Sequence, residues 1–404
     1  MKVLRLACPL LAVLALAGCS VSLPGVPSVP DASSISSGIS SAVSAGASQA
    51  SSFIAGSPTP KAVIATTKPT AKATAKPTAK ATAKPTAKPT ATAKPTAKPV
   101  SVAPAAADTL LVEPAAGYQP IYQAITAAKH SVDLVIYELG DTTAEADLVQ
   151  AKDRGVTVRV ILDQAYAKSQ NQAAYTYLSG KGVSVHWSST KVDITHQKTL
   201  IVDGTEAFIM TGNLTPQYYA GTRDFIVTDE VPSDVAAIET TFNADFAGSA
   251  VTPKAATDLV WSPGSETQLV NLINSAKTEI LVENEEMNEP YIESALEAAA
   301  KRGVTVQVCM TNSSSWSSEF ATLTKDGVHI RTYPDSTTAL YIHAKVILVD
   351  PGKADARMFV GSENFSITSL TKNRELGLTT TSPTLIGQME PVLVGDFNGA
   401  GATS

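Results

Sequence analysis

Cysteine is scarce in this chain: there are three in 404 residues, at positions 8, 19 and 309. The first two fall in an N-terminal segment of separate character, so the body holds one thiol and no intramolecular disulfide. Cys309, in Val306-Gln307-Val308-Cys309-Met310, takes the place that Ile161 has in an internal repeat, and reads as a small buried hydrophobe. Histidine is limited to five, with no Cys/His cluster at metal-ligand spacing, so neither a metal nor another cofactor is expected. Basic charge is short where a nucleic-acid binder would need it. Of 31 Lys and Arg and 37 Asp and Glu, residues 1–107 take eleven basic and one acidic, leaving residues 108–404 at a net charge of −16. That balance disfavours gripping a nucleic-acid backbone, although a local basic groove would be compatible with it.

The first hundred residues are present for another purpose. Lys2 and Arg5, an apolar run centred on Leu10 to Leu16, and small residues before Cys19 make residues 1–18 a secretory signal. Leu16-Ala17-Gly18-Cys19 resembles a bacterial lipobox, in which cleavage precedes Cys19 and the cysteine is acylated; the alternative is a plain secreted protein or an uncleaved anchor. Residues 19–107 are rich in Ser, Ala, Thr, Pro and Lys, and from Lys68 to Val100 repeat Lys-Pro-Thr-Ala. Such a segment cannot bury a core and is expected to be an extended stalk, on the order of 150 Å for fifty residues. Its nine lysines between Lys61 and Lys98 lack aromatics and are interrupted by proline, which favours anionic lipid or wall polymer over nucleic acid. The expected localisation is therefore extracytoplasmic, on the membrane through Cys19.

Two short stretches carry the chemistry. His196-Gln197-Lys198 is followed by Asp203, and His343-Ala344-Lys345 by Asp350 at the same offset. With Lys and Asp each at about one position in twenty, two such histidines among five arise by chance on the order of once in ten thousand. Val192–Asp203 and Leu340–Asp350 read as strands. Residues two apart on a strand share a face, so each His stands beside its Lys, whereas Asp203 and Asp350, at odd offsets, point elsewhere. Imidazole can be nucleophile, base or acid, and an ammonium stabilises phosphoryl oxygens.

These stretches resemble the paired HKD motifs of the phospholipase D superfamily. The family pattern continues to Asn through a Gly-Gly/Ser step; here Gly361-Ser362-Glu363-Asn364 follows a longer spacer, and Met210-Thr211-Gly212-Asn213 has Met for the leading Gly. The resemblance implies a phosphohistidine on one His, protonation of the leaving group by the other, and phosphate held by Lys198, Lys345, Asn213 and Asn364 without a metal. By family analogy His196 is the nucleophile and His343 the acid. A carboxylate further on orients each His, the candidates being Asp224 and Glu375; Asp203 and Asp350 are structural.

The motifs sit in a duplication. Ala128 through Val158 runs against Ala276 through Val306 at a constant offset of 148, and the two histidines are offset by 147. Each copy reads as helix (Ile121–Lys129; Glu266–Lys277), strand, helix (Thr143–Arg154; Tyr291–Arg302), then a strand at Gly-Val-Thr-Val. The expected fold is α/β with a largely parallel sheet in two halves, 108–250 and 251–404; the resemblance implies that these are phospholipase D-like α/β/α halves with the active site at their interface. A monomer is expected.

Glu283, Glu285, Glu286 and Glu289 crowd one strand end, and read as a solvated loop or substrate rim rather than as acid/base machinery. Glu138 and Glu286, at equivalent positions, are the better lining candidates. Tyr218-Tyr219 and Ser313–Ser318 around Trp316 either touch substrate or pack. His130, His186 and His329 lack Lys and Asp partners and read as ordinary residues. The resemblance implies a phosphodiesterase hydrolysing or transferring phosphatidyl groups, on a phospholipid or other phosphodiester. An extracytoplasmic nuclease and a non-catalytic surface protein are the alternatives.

Overall fold

The computed structural model describes residues 109–256 and 258–402; the expected signal segment, Cys19 and the stalk lie outside them. Half 1 contains β1 (Leu110–Val112), α1 (Gln119–Ala127), β2 (Ser131–Ile136), α2 (Thr142–Asp153), β3 (Thr157–Leu162), α3 (Lys168–Gly180), β4 (Ser184–Trp187), β5 (Thr199–Val202), β6 (Glu206–Met210), α4 (Pro216–Tyr219), β7 (Thr222–Arg223), β8 (Phe225–Asp229) and α5 (Pro232–Phe246). Half 2 repeats the scheme with β9 (Leu259–Ser262), α6 (Ser265–Ser275), β10 (Glu279–Glu283), β11 (Met287–Asn288), α7 (Pro290–Lys301), β12 (Thr305–Thr311), α8 (Ser317–Lys325), β13 (His329–Tyr333), β14 (Tyr341–Ile342), β15 (Val346–Val349), β16 (Arg357–Gly361), β17 (Phe365–Ser366), α9 (Ile367–Thr371), β18 (Glu375–Thr380), α10 (Pro383–Gly399) and β19 (Gly401–Ala402). The four expected helices are present as α1, α2, α6 and α7, each starting one or two residues early. Proline at the first turn of α1 and α7 sets those starts, and the Asp141 and Glu289 side chains cap α2 and α7.

The sheets are mixed, not largely parallel. Half 1 runs β1-β8-β6-β5-β2-β3-β4, and only β2, β3 and β4 are parallel neighbours. Parallel pairing needs a crossover, and α2 and α3 supply two. After the His-Lys segment the chain instead turns back tightly at Asp203 and Gly204, so β5 and β6 pair antiparallel, as do β15 and β16 in half 2.

Strand alternation sorts the buried side chains into outer and inner clusters. On β2, Val132, Leu134 and Ile136 join α1 and α2 in an outer cluster, and Val135 faces the other half. Asp133, on that inner side, is tied by Arg159, whose guanidinium also lies over Phe242 and Phe246 of α5. The inner cluster merges Ile201, Ile209 and Val227 with Leu281, Leu348 and Val360, packed by α5 and α10. Each buried side chain of this size is worth roughly 1.5–3 kcal/mol, so the halves are one folding unit rather than tethered modules.

Two strand contacts cross between the halves. β14 pairs parallel with β7, and Thr195 bridges Arg374 in the same sense. Beside them, Arg223 binds Asp396 of α10 through two hydrogen bonds (2.5 and 2.9 Å), and Arg374 binds Asp245 of α5 (2.8 and 3.2 Å). The duplicated halves therefore clasp each other reciprocally.

Candidate active site

Each His-Lys segment is held by the opposite half. The backbone N–H groups of His196 and Gln197 donate to the Arg374 carbonyl (3.0 and 2.9 Å), and that of His343 to the Arg223 carbonyl (3.2 Å). The expected long strands are consequently shorter: regular pairing within the sheet starts only at Thr199 and Val346. Alternation survives the shortening. Gln197 and Ala344 are buried on one side, while Lys198 Nζ donates back to the His196 carbonyl (2.6 Å) and Lys345 Nζ to that of His343. Both lysines are fully enclosed, and the rings of His196 and His343 keep 12% and 14% of their surface exposed, which puts them at the accessible floor of a cleft.

Asp203 and Asp350 do point away. Each has a left-handed backbone and accepts three consecutive backbone N–H groups, from Lys129, His130 and Ser131 and from Lys277, Thr278 and Glu279. Burial works against ionisation of both, but these donors hold the carboxyls below the usual range. They brace the hairpin after the site.

The carboxylates cross over. Glu375 of half 2 accepts from Nδ1 of His196 in half 1 (2.9 Å), and Asp224 of half 1 accepts from Nδ1 of His343 in half 2 (2.8 Å). Behind them stand matching hydroxyls: Ser362 Oγ donates to Glu375 (2.7 Å) and Thr211 Oγ1 to Asp224 (2.5 Å). A carboxylate that fixes Nδ1–H leaves Nε2 toward the cleft. Burial lowers the His196 imidazole from its usual range despite Glu375, and so favours the neutral ring. Burial alone would raise Glu375, but His196, Lys198 and Ser362 keep it ionised.

Between these pseudo-symmetric parts lies an asymmetry. Glu285, just beyond β10, places Oε2 3.1 Å from Lys345 Nζ, 3.4 Å from His343 Nε2 and 3.4 Å from Asn364 Nδ2, and Oε1 accepts from Tyr341 Oη (2.9 Å). Tyr137 takes its place in half 1, its ring 4.8 Å from that of His196 and 5.3 Å from Lys198 Nζ. Burial pushes Lys198 down to about 7, and Lys345's charge adds to this. The solvated-loop reading fails: Glu283 is fully buried and Glu289 is the α7 cap, while Glu285 lies against the catalytic candidates. Glu138 does border the site, near Lys198 and His343, and its backbone N–H donates to Asn213 Oδ1 (3.2 Å). Register singles out Glu285 among the four acids: β10 pairs antiparallel with β15, Glu283 opposite Val346, and continuing that register brings residue 285 alongside 343–345. Sequence spacing alone does not reveal the pairing.

The motif departure at Met210 also has a structural counterpart. A Cβ on Gly361 would come within 2.4 Å of both Glu363 Oε2 and Gly377 Cα, so the Glu363 side chain fills the space that a residue there would need. In half 1, Met210 and Ile226 fill the corresponding layer with their own side chains, and Gly212 stands where Glu363 would be. A Cβ on Gly212 would meet Asp224 and Tyr118. Among the remaining sequence candidates, Tyr219 stacks on Tyr118 and donates to Asp141, and Trp316 and Cys309 are buried. Tyr218 is exposed. Among the described residues no group of three or more His, Cys, Asp or Glu is placed to hold a metal ion, and no helix is long and apolar enough to cross a membrane.

Two α/β halves that exchange carboxylates across a cleft of paired His-Lys units define a duplicated phospholipase D-like protein. The family model described as "Cardiolipin synthase, PLD-like domain" matches residues 121–246 and again 269–394, more than half of the chain, and the chain belongs to that family. Members of this superfamily are typically phosphodiesterases or phosphatidyltransferases. Among solved structures, phosphatidylserine synthase of Haemophilus influenzae Rd KW20 is similar over 73% of this chain and 87% of its own, at 11% identity and a TM-score of 0.57. Polyphosphate kinase of Porphyromonas gingivalis is similar over 71% of this chain at 15% identity and a TM-score of 0.54, and the match spans about half (49%) of that protein. The phospholipase D family member Nuc of Salmonella typhimurium aligns with 36% of this chain and 99% of its own, at 20% identity and a TM-score of 0.33. For the first two, at these identities, the likeness is one of fold. No curated protein matches the chain significantly.

Proposed function

We propose that the protein is a phospholipase D-type phosphodiesterase or phosphatidyltransferase that acts through a phosphohistidine and needs no metal. The observation that carries this reading is the crossed pairing of Glu375 with His196 and Asp224 with His343, which turns two Nε2 atoms toward one cleft floored by Lys198 and Lys345. In the first step Nε2 of His196 forms a bond to phosphorus as the bond to the leaving oxygen breaks, and His343 passes its Nε2 proton to that oxygen. In the second, water or an alcohol attacks phosphorus, His343 takes its proton, and the P–N bond breaks. Atoms and charge balance over the cycle, with the lysine ammoniums offsetting the phosphoryl charge.

The assignment of roles has support beyond analogy. A neutral His196 suits a nucleophile, and the acceptor-only Glu285 carboxylate facing His343 Nε2 suits a proton donor. The family model's description favours a phosphatidyl substrate, and the acidic body disfavours the nuclease alternative. The test is turnover of phosphatidylglycerol vesicles, phosphatidylcholine vesicles and single-stranded DNA, with and without chelator. We expect chelator-resistant lipid turnover that His196→Ala and His343→Ala each abolish; activity surviving either substitution sinks the mechanism, and turnover of DNA alone replaces the substrate class. The proposed extracytoplasmic membrane anchoring through Cys19 is tested separately, since Cys19→Ser should move the protein from the membrane fraction to the soluble one.

A further inference from the structure

We propose that Glu285 is a built-in competitor for the phosphoryl site of half 2, and that it selects singly charged phosphodiesters over doubly charged phosphomonoesters. This rests on the reading of the cleft as a phosphodiester site.

A single carboxylate oxygen of Glu285 faces His343 Nε2, Lys345 Nζ and Asn364 Nδ2 together, the same donors that would receive a phosphoryl oxygen. The chain thus supplies its own anion to the cradle. Glu285 is not there by loose chance. Asn284 pins the loop: its Oδ1 accepts from the backbone N–H groups of Glu286 and Phe365 (both 3.1 Å), and its Nδ2 donates to the Glu363 carbonyl (3.2 Å). Tyr341, two residues before His343, anchors the second carboxylate oxygen. The repeat-equivalent Tyr137 carries no charge into half 1, so the effect is confined to one side of the cleft.

The other carboxyls at the mouth do not share this role. Burial pushes Glu138 up and Glu286 up to about 7, whereas Lys345 and then His343 overcome burial and hold Glu285 well below the usual carboxylate range. Glu285 is therefore a fixed negative charge beside the phosphoryl site. A ligand entering that site must displace the carboxylate from Lys345 and then lie next to it. Repulsion scales with ligand charge, so a dianion suffers twice what a monoanion does at the same distance. A hydrolysed product with a phosphomonoester head is the dianion, and the diester substrate is the monoanion. The cleft would thereby release its own product.

Binding measurements on the full chain test this without reliance on turnover. Isothermal titration at pH 8 compares inorganic phosphate, a dianion there, with dimethyl phosphate, an inert monoanion, on wild type, Glu285→Gln and Glu285→Asp. Removing one negative charge should tighten phosphate at least about tenfold and dimethyl phosphate only about threefold, the square root expected from halved ligand charge. Glu285→Asp, which keeps the charge, should stay within about threefold of wild type for phosphate. Equal gains for both ligands, no gain in Glu285→Gln, or an Asp variant that behaves like Gln overturns the proposal. Should Glu285→Gln fail to fold, Tyr341→Phe carries the test, because loss of the anchor should tighten phosphate by about threefold, and no gain refutes it. If no diester is ever turned over, the catalytic reading fails while this comparison keeps its own answer.

Discussion

Half 1 and half 2 are copies that have kept the same skeleton of contacts and changed what fills it. Both place His and Lys two apart, both brace the following hairpin with an Asp on three backbone N–H groups, and both lend a hydroxyl-backed carboxylate to the other's His. They differ in what stands beside the lysine: an uncharged Tyr137 ring in half 1, an ionised Glu285 in half 2. One phosphodiester is not symmetric either, since one ester bond breaks and the other does not. A duplicated site gains direction by leaving its clasp symmetric and its floor unequal.

The sharpest way to break the comparison is to remove each His in turn and vary the leaving group. His196→Asn should lose at least about 10⁴-fold in kcat/KM on any ester, because no other group forms the P–N bond. His343→Asn should release p-nitrophenol in a burst from a p-nitrophenyl diester, which needs no acid, and then stall as phosphoenzyme for want of a base. A burst from the His196 variant instead would reverse the assignment. Next in size are the crossed carboxylates. Glu375→Gln and Asp224→Asn should each cost about 10²–10³-fold in kcat, and Glu375→Gln should also move the acid limb of the pH profile to lower pH. The sign follows from charge: Glu375 favours the imidazolium of His196, and a neutral amide withdraws that support, so the ring stays neutral further into acid. An acid limb that moves upward would mean that Glu375 does not act on His196.

Stability gives a middle-sized contrast at one repeat position. Met210→Ala empties part of the half 1 core and should cost about 2–5 kcal/mol in denaturant unfolding. Gly361→Ala at the matching place overfills a layer that already holds Glu363, at about 1–3 kcal/mol. If Gly361→Ala were neutral, Glu363 would not be the residue that fills the space.

How far these features were legible follows from which contacts are local. The two helices and the strand parity of each half repeat within a short stretch, so their order and the outward turn of Asp203 and Asp350 could be read directly. The mixed sheet could not, because whether a strand after the His-Lys unit runs parallel depends on a three-residue hairpin with no crossover helix. Asp224 and Glu375 stand out in the sequence, but nothing in their spacing says that they cross: Asp224 follows His196 in sequence, yet it binds a ring 119 residues further on. Glu285 reads from the sequence as one of four acids in a solvated loop or substrate rim, and only the β10–β15 register puts it against Lys345. Residues that act between the halves leave no local trace.

The smallest expected effect probes the unequal floor directly. Lys198, buried and without a carboxylate in hydrogen-bond reach, is pushed down to about 7, so its ammonium is lost as pH rises through neutrality. A site that needs that charge to hold phosphate should lose kcat/KM above about pH 7. Tyr137→Glu copies the half 2 arrangement into half 1. A carboxylate about 5 Å from Nζ favours the ammonium by an amount worth roughly two pH units at an effective dielectric near 20, so the basic limb should move upward by that much. The same charge repels substrate, so the plateau should fall by about tenfold while the profile broadens. A plateau that falls with the basic limb unmoved would show that Lys198 does not set the limb, and that the aromatic ring in half 1 matters for its shape and not for its lack of charge.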